Sequence, residues 1–232
     1  KTTVNTADKK RLIKSLKALY EQGDIESTVD VDEVLRYFVV HNFLVNGDSY
    51  TGQMIHNYYL YEKNGQLSMI PWDYNLAFGS FQGGSAASSV NSPIDTPVSS
   101  GDISDRPMVA WIFDNEDYTE QYHQLFNEFI NSVDFEKFIS ETAEMIDKYV
   151  QNDATKFCTY EEFQKGVETI KQFCKLRSES IKGQLAGTIP STSEGQKNSS
   201  TLIDASDINT SDMGTMNMGG GDFEGKKNFG RN

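Results

Sequence analysis

The residues best suited to chemistry fall in one stretch, 46–79, NGDSYTGQMIHNYYLYEKNGQLSMIPWDYNLAFG, which holds Asp48, Asn57 and Asp73. The aromatic run from Asn57 to Tyr61, the Asn64-Gly65 turn signal and the alternation from Gln66 to Ile70 predict a β-hairpin over about 56–71. A hairpin brings its two ends together, so Asn57 and Asp73 are expected side by side. Asp48 reaches the same place across a short loop. Two carboxylates and a carboxamide oxygen so gathered suit Mg²⁺, a hard cation that prefers oxygen. Kinases use such a set: one Asp orients the attacking hydroxyl, while an Asn and a second Asp hold metal against the phosphates. Spacing alone also allows plain structural duties, with Asp48 in a turn, Asn57 capping the strand and Asp73 bonding the turn after Pro71.

Helices must position these residues. Leu12, Leu16, Leu19 and Tyr20 share one face of a predicted helix over 6–22, with Thr6 as N-cap and Gly23 closing it. A second helix, from about Asp32 to Leu44, carries Leu35, Phe38, Val39 and Phe43 and is expected to end at Asn46-Gly47-Asp48, where Gly47 supplies a left-handed turn. From Gly79 to about Pro107 the chain turns to Gly, Ser, Asp and Pro, a loop long enough to be functional or disordered. Helical runs follow at 108–113, 118–133, 135–150 and 160–185. Past Gly187 few core formers remain, so residues 188–232 read as a disordered, deletable tail after a domain at 1–186.

The chain has 232 residues and a formal net charge of -13. Such a balance repels nucleic-acid phosphates, which sets nucleic-acid binding aside. It either favours basic protein substrates or divalent cations, or simply keeps the chain in solution. No run approaches the roughly 20 apolar residues of a membrane span. Lys9, Lys10 and Arg11 interrupt any signal-peptide core, and Lys1 in place of Met points to a processed or truncated chain. Cys158 and Cys174 lack zinc spacing; they read as core thiols, with a disulfide between neighbouring helices as the alternative.

The string Asn46-x-Asp48, then His56-Asn57-Tyr58-Tyr59-Leu60-Tyr61, Ile70-Pro71-Trp72-Asp73 and Ala77-Phe78-Gly79 closely resembles the signature of the CotH kinase family, the atypical protein kinases of the spore coat. Arg106-Pro107, Tyr118, Tyr122, Arg177 and Gln184-Leu185 fit downstream, so the likeness spans roughly 30–186. The resemblance implies an α+β fold: a mainly helical, kinase-like C-terminal lobe with one β-hairpin and a disordered Gly/Met-rich tail. It implies ATP and Mg²⁺ or Mn²⁺ as cofactors, and transfer of the γ-phosphate to Ser or Thr of coat, secreted or surface proteins, hence a spore-coat or extracellular location. Matched residue by residue, Asp48 takes the catalytic place, and Asp73 with Asn57 takes the metal- and cofactor-binding place. Trp72 is expected beneath the site, and His56 in a structural or nucleotide-edge role. No Gly-rich strand pair precedes Asp48, and Lys9, Lys10 and Lys14 lie on a solvent face, so the chain looks like the C-terminal portion of a longer kinase. Two other readings stand beside this one: a non-catalytic surface or adhesion module that keeps the fold, and a metal-dependent hydrolase using the same carboxylates.

Overall fold

The computed structural model describes residues 3–21, 23–81 and 85–214. Its first helix, α1 (Thr6–Tyr20), starts one residue earlier than a Thr6 cap would give. Asn5 is the N-cap: its side chain accepts from the Ala7 and Asp8 amides while Asp8 reaches back to the Asn5 amide. This reciprocal box satisfies donors that a helix start leaves orphaned. A single turn, α2 (Ile25–Thr28), leads to α3 (Val31–Leu44), capped by Asp30. Val34, Leu35, Tyr37, Phe38, Val39, His41, Asn42 and Phe43 are all buried. A helix covered this completely belongs at the centre of a fold.

The hairpin forms as expected, from β1 (Tyr58–Lys63) and β2 (Gln66–Pro71), antiparallel, with Tyr58 opposite Pro71 and Lys63 opposite Gln66. Asn64 and Gly65 both have positive φ, 55° and 96°, as a two-residue turn matched to strand twist requires. Leu67 and Met69 of β2 are buried in the core that α3 anchors. Then come α4 (Ala86–Val90), a 3-10 turn (Ile103–Asp105), α5 (Pro107–Phe113), α6 (Glu116–Ser132), α7 (Phe135–Asn152), α8 (Tyr160–Leu185), α9 (Ser193–Gln196) and a last 3-10 turn (Thr210–Met213). Pro107 opens α5 at the position where a missing N–H is harmless. The fold is therefore α+β and mainly helical, as read from the sequence.

Arg177 on α8 is wholly buried and spends its guanidinium on main-chain carbonyls: Val90 (3.1 Å), Ser92 (2.6 Å) and Asn42 (2.9 Å). Asn42 lies in the last turn of α3 and Val90 ends α4, so the cation answers orphan carbonyls at two helix C-termini, where the macrodipole favours positive charge. Burial pulls its pKa down to about 10, which still leaves it protonated at neutral pH. Its bonds to Val90 and Ser92 tie residues 90–92 to α8. Gln184 Oε1 accepts from the Ile94 amide, the Tyr122 hydroxyl donates to the Ile94 carbonyl, and His123 lies 2.7 Å from Asp95.

The expectation of disorder past Gly187 fails for residues 188–214. Ile189, Ala205 and Ile208 are buried, and Ala205 and Ile208 form a small core with Val90 and Phe173. Asn91 fastens the segment, its amide donating to the Ile203 carbonyl and its Oδ1 accepting from the Ile203 amide. Composition misleads here because a few apolar residues suffice when a preformed surface receives them. The Gly/Met-rich residues 215–232 lie outside the described residues. The two cysteines are unbridged; Cys174 is a core thiol pushed up to about 12 by burial, whereas Cys158 is half-buried.

Arg177→Met is expected to lower stability by about 3–5 kcal/mol, since it strands buried carbonyls, readable as a lower urea midpoint. Ending the chain at Gly187 should also lower that midpoint, by about 3 kcal/mol, through loss of the buried side chains beyond it.

Candidate active site

The helix α3 does not end at Gly47. Val45 takes the left-handed turn, φ 48°, and the chain after Asp73 folds back to cap it: the Phe78 amide donates to the Leu44 carbonyl at 2.6 Å and the Gly79 amide to the Val45 carbonyl at 3.1 Å. The loop bearing Asp48 and the loop bearing Asp73 are thus sewn together at the end of one central helix. Five non-glycine residues here have positive φ: Val45, Ile55, Asn57, Asp73 and Phe78. For Val and Ile this conformation costs about 1–3 kcal/mol, and such strain persists only where the surroundings over-determine it.

Those surroundings are visible. Arg106, buried, donates to the carbonyls of Tyr50 (3.1 Å), Gly52 (3.2 Å) and Ser100 (3.3 Å), gathering the turn that follows Asp48. The turn is so tight that a Cβ on Gly52 would lie 1.9 Å from the Gly47 carbonyl oxygen, so only glycine fits. Beneath both loops sits His41. Its Nδ1 is 2.6 Å from the Tyr74 hydroxyl and its Nε2 2.7 Å from the Thr51 hydroxyl, so one imidazole joins the residue after Asp73 to the turn after Asp48. Burial drops the His41 pKa to about 4, so the ring is neutral at physiological pH.

The Asp48 carboxylate is held at both oxygens. Oδ1 lies 2.6 Å from His56 Nε2, and Oδ2 accepts from Asn57 Nδ2 at 3.1 Å. Only 13% of its side chain is exposed. Asn46 spans the two loops: its Oδ1 accepts from the Asp48 amide at 3.2 Å, and its Nδ2 donates to the Asp73 carbonyl at 3.4 Å. Asp73 is exposed, and its carboxylate meets no protein donor among the described residues. Asn57 stands one residue before the Tyr58–Pro71 pair and Asp73 two residues after it. With Nδ2 committed to Asp48, the Asn57 Oδ1 accepts from no protein group among the described residues.

Among the described residues no group of three His, Cys, Asp or Glu side chains is arranged to hold a metal. The one carboxylate and one carboxamide oxygen left free here are the lean donor set that Mg²⁺ accepts when phosphates and water complete its shell. Both are hard oxygen donors of the type such a cation takes. A cleft of about 430 Å³ opens between Asn46, Gly47 and Thr51 on one side and Ser89, Thr96 and Val98 on the other; it takes in the neighbours of Asp48 in the chain but not Asp48, Asn57 or Asp73 themselves.

Trp72 is not beneath the site. It is 54% exposed and meets Tyr59 edge-on at 5.4 Å, because its strand-side neighbours already fill the core face of the hairpin. His56, read from the sequence as a structural or nucleotide-edge residue, places Nε2 2.6 Å from Asp48 Oδ1. Asn46, His41 and Arg106 were not singled out for the site. A histidine among the apolar positions of α3 was the readable signal for His41; nothing local marks what Asn46 bridges.

A family model described as CotH, CotH kinase protein, matches residues 1–181. No curated protein and no solved structure matches.

The His41 ring predicts acid lability. Its pKa is depressed in the fold, so the unfolded chain binds more protons between about pH 4 and 6.5, and stability falls as pH drops through that window. The full swing is about 3 kcal/mol. His41→Gln should flatten the pH 4.5–6.5 slope of urea-unfolding free energy; an unchanged slope would show that another group carries it.

Proposed function

The chain belongs to the CotH kinase protein family, and we propose that it carries the phosphoryl-transfer centre of a metal-dependent protein kinase. In this reading Asp48 is the catalytic carboxylate and Asp73 with Asn57 holds the cation. The carrying observation is the junction just described: Asn46 ties the Asp48 amide to the Asp73 carbonyl, while Asn57 aims one Asp48 oxygen.

The acceptor is a serine or threonine hydroxyl on a protein segment that approaches Asp48 past the cleft lined by Gly47 and Thr51. Its oxygen attacks the γ-phosphorus of ATP as the bond to the bridging oxygen breaks and ADP departs. The hydroxyl proton passes to the Asp48 carboxylate, whose contacts to His56 and Asn57 hold it in one orientation. Mg²⁺ or Mn²⁺, when bound, would neutralise charge gathering on the phosphates. Catalysis of this kind is chiefly positioning and electrostatics, which explains why the protein invests strained backbone and two buried guanidinium groups in the loops around these residues. Coat, secreted or surface proteins are the proposed acceptors, in keeping with the family name and with an acidic chain that attracts Ser/Thr-rich, basic segments.

Before Asp48 the described residues form only α1–α3 with no strand pair, and Lys9, Lys10 and Lys14 of α1 are exposed. The lysine that would meet the phosphates is not assigned among them, so the test uses the full-length protein. Radiolabel transfer from ATP to a Ser-rich basic protein would be followed with Mg²⁺ or Mn²⁺. Asp73→Ala should abolish transfer, and Asp48→Ala should lower turnover at least about 100-fold while nucleotide binding persists. Asn46→Ala should fall between them. Wild-type rates in both Asp variants would remove the site assignment. A wild type that neither binds ATP nor transfers phosphate with any metal would make the surface- or adhesion-module reading the better one.

A further inference from the structure

A second concave site lies on the side of the molecule built from α1, α2, α5 and α6. It encloses about 250 Å³ and is lined by Tyr20, Ile25, Pro107, Trp111, Asp114 and Tyr118, among others. That volume falls below the range of cofactor and drug-sized pockets, but it accommodates one long side chain. Its aromatic wall is fixed: Trp111 and Tyr118 meet edge to face at 4.9 Å, and the Trp111 indole N–H is already given to the Met108 carbonyl. Tyr118 is part of the sequence pattern noted above, and the phosphoryl-transfer site makes no use of it.

The rim is acidic. The Tyr118 hydroxyl donates to Glu26 at 2.9 Å, and Asp24 and Asp117 lie close enough that, after burial and Glu26, their charge raises the Tyr118 pKa. Asp114 lines the pocket itself. None of Asp24, Glu26, Asp114 and Asp117 has a cationic partner in an ion pair among the described residues; the nearby Lys17 pairs with Glu21 at 3.7 Å. Aromatic faces with unpaired carboxylates at their edge are complementary to a cation on an apolar stem. Arginine suits this better than lysine, because its guanidinium is planar, weakly hydrated, stacks on rings and forks onto carboxylates.

We propose that this pocket is a docking site for an arginine side chain presented by a segment of a partner protein, apart from the Asp48–Asp73 centre. The stem would lie along Tyr20 and Ile25 while the guanidinium meets Tyr118, Glu26 and Asp114. This assignment does not depend on the kinase reading.

The two tryptophans allow a direct test. In the Trp72→Phe form of this 232-residue chain, Trp111 alone reports. A capped Gly/Ser peptide with one central arginine would be titrated against it, beside the same peptide with lysine, leucine or citrulline. Saturable quenching by the arginine peptide is expected, weaker by about five-fold in Glu26→Gln/Asp114→Asn and in Tyr118→Ala, and falling as salt is raised. The paired neutralisation Glu144→Gln/Glu161→Gln, on α7 and α8, should leave binding unchanged and so separates the pocket from the general acidity of the chain. Equal binding of the leucine or citrulline peptide would overturn the cation assignment, equal binding of the lysine peptide the choice of arginine. Loss in the α7/α8 control as large as in the rim variant, or no saturable quenching, would overturn the site.

Discussion

A buried positive charge without a carboxylate is the constraint on which the rest of this structure turns. Arg177 places its guanidinium against the last carbonyls of α3 and α4 and the carbonyl after them. The Asn42 and Val90 carbonyls would otherwise be desolvated C=O groups at helix ends, whereas the Ser92 carbonyl also accepts from Gln184 Nε2 at 3.3 Å. One side chain on α8 thus fixes where α3 stops and where the chain after the hairpin runs. Because the Asp48 loop leaves from the end of α3 and residues 78–79 return to cap it, that placement reaches the loops bearing Asp48 and Asp73 directly. A carboxylate partner for Arg177 would satisfy the charge but would bond no carbonyl.

The loops themselves are held by small polar groups that each serve two masters. Asn46 accepts from one loop and donates to the other. His41 does the same from below with its two ring nitrogens, and Arg106 collects three carbonyls from two segments. Such bridges lie in the same two loops as left-handed Val45, Ile55 and Asp73. Strain of this kind survives because releasing it would break several buried hydrogen bonds at once. The result is a carboxylate, Asp48, with its orientation set, and a second, Asp73, exposed to solvent; Asn46 links their main chains.

The acidic surplus of the chain is not spread without consequence. Near Asp48 the cleft is lined mainly by hydroxyl-bearing and apolar residues, whereas carboxylates border the aromatic pocket between α2 and α5. The two concave sites therefore differ in what they can recognise: shape and hydroxyl contacts at one, a single positive charge at the other.

Much of this was legible in the chain itself. The hairpin and its turn at Asn64-Gly65 followed from alternation and from residues that tolerate positive φ, and the long helices from apolar spacing, because both signals are local. Asp48, Asn57 and Asp73 were named from residue type and from the way a hairpin draws its ends together, and the Asn57–Asp48 hydrogen bond joins two of them. What only tertiary structure decided were contacts between residues far apart in sequence. Arg177 to Asn42, Asn46 to Asp73, and the binding of residues 188–214 to Asn91 and Phe173 leave no periodic trace. Trp72 makes the same point in reverse. Its aromatic bulk suggested burial, yet the core face of its hairpin was already filled, and the ring was left at the surface. Local sequence specifies which groups a segment can offer; packing decides which of them find a partner, because burial and hydrogen-bond satisfaction are properties of the whole fold.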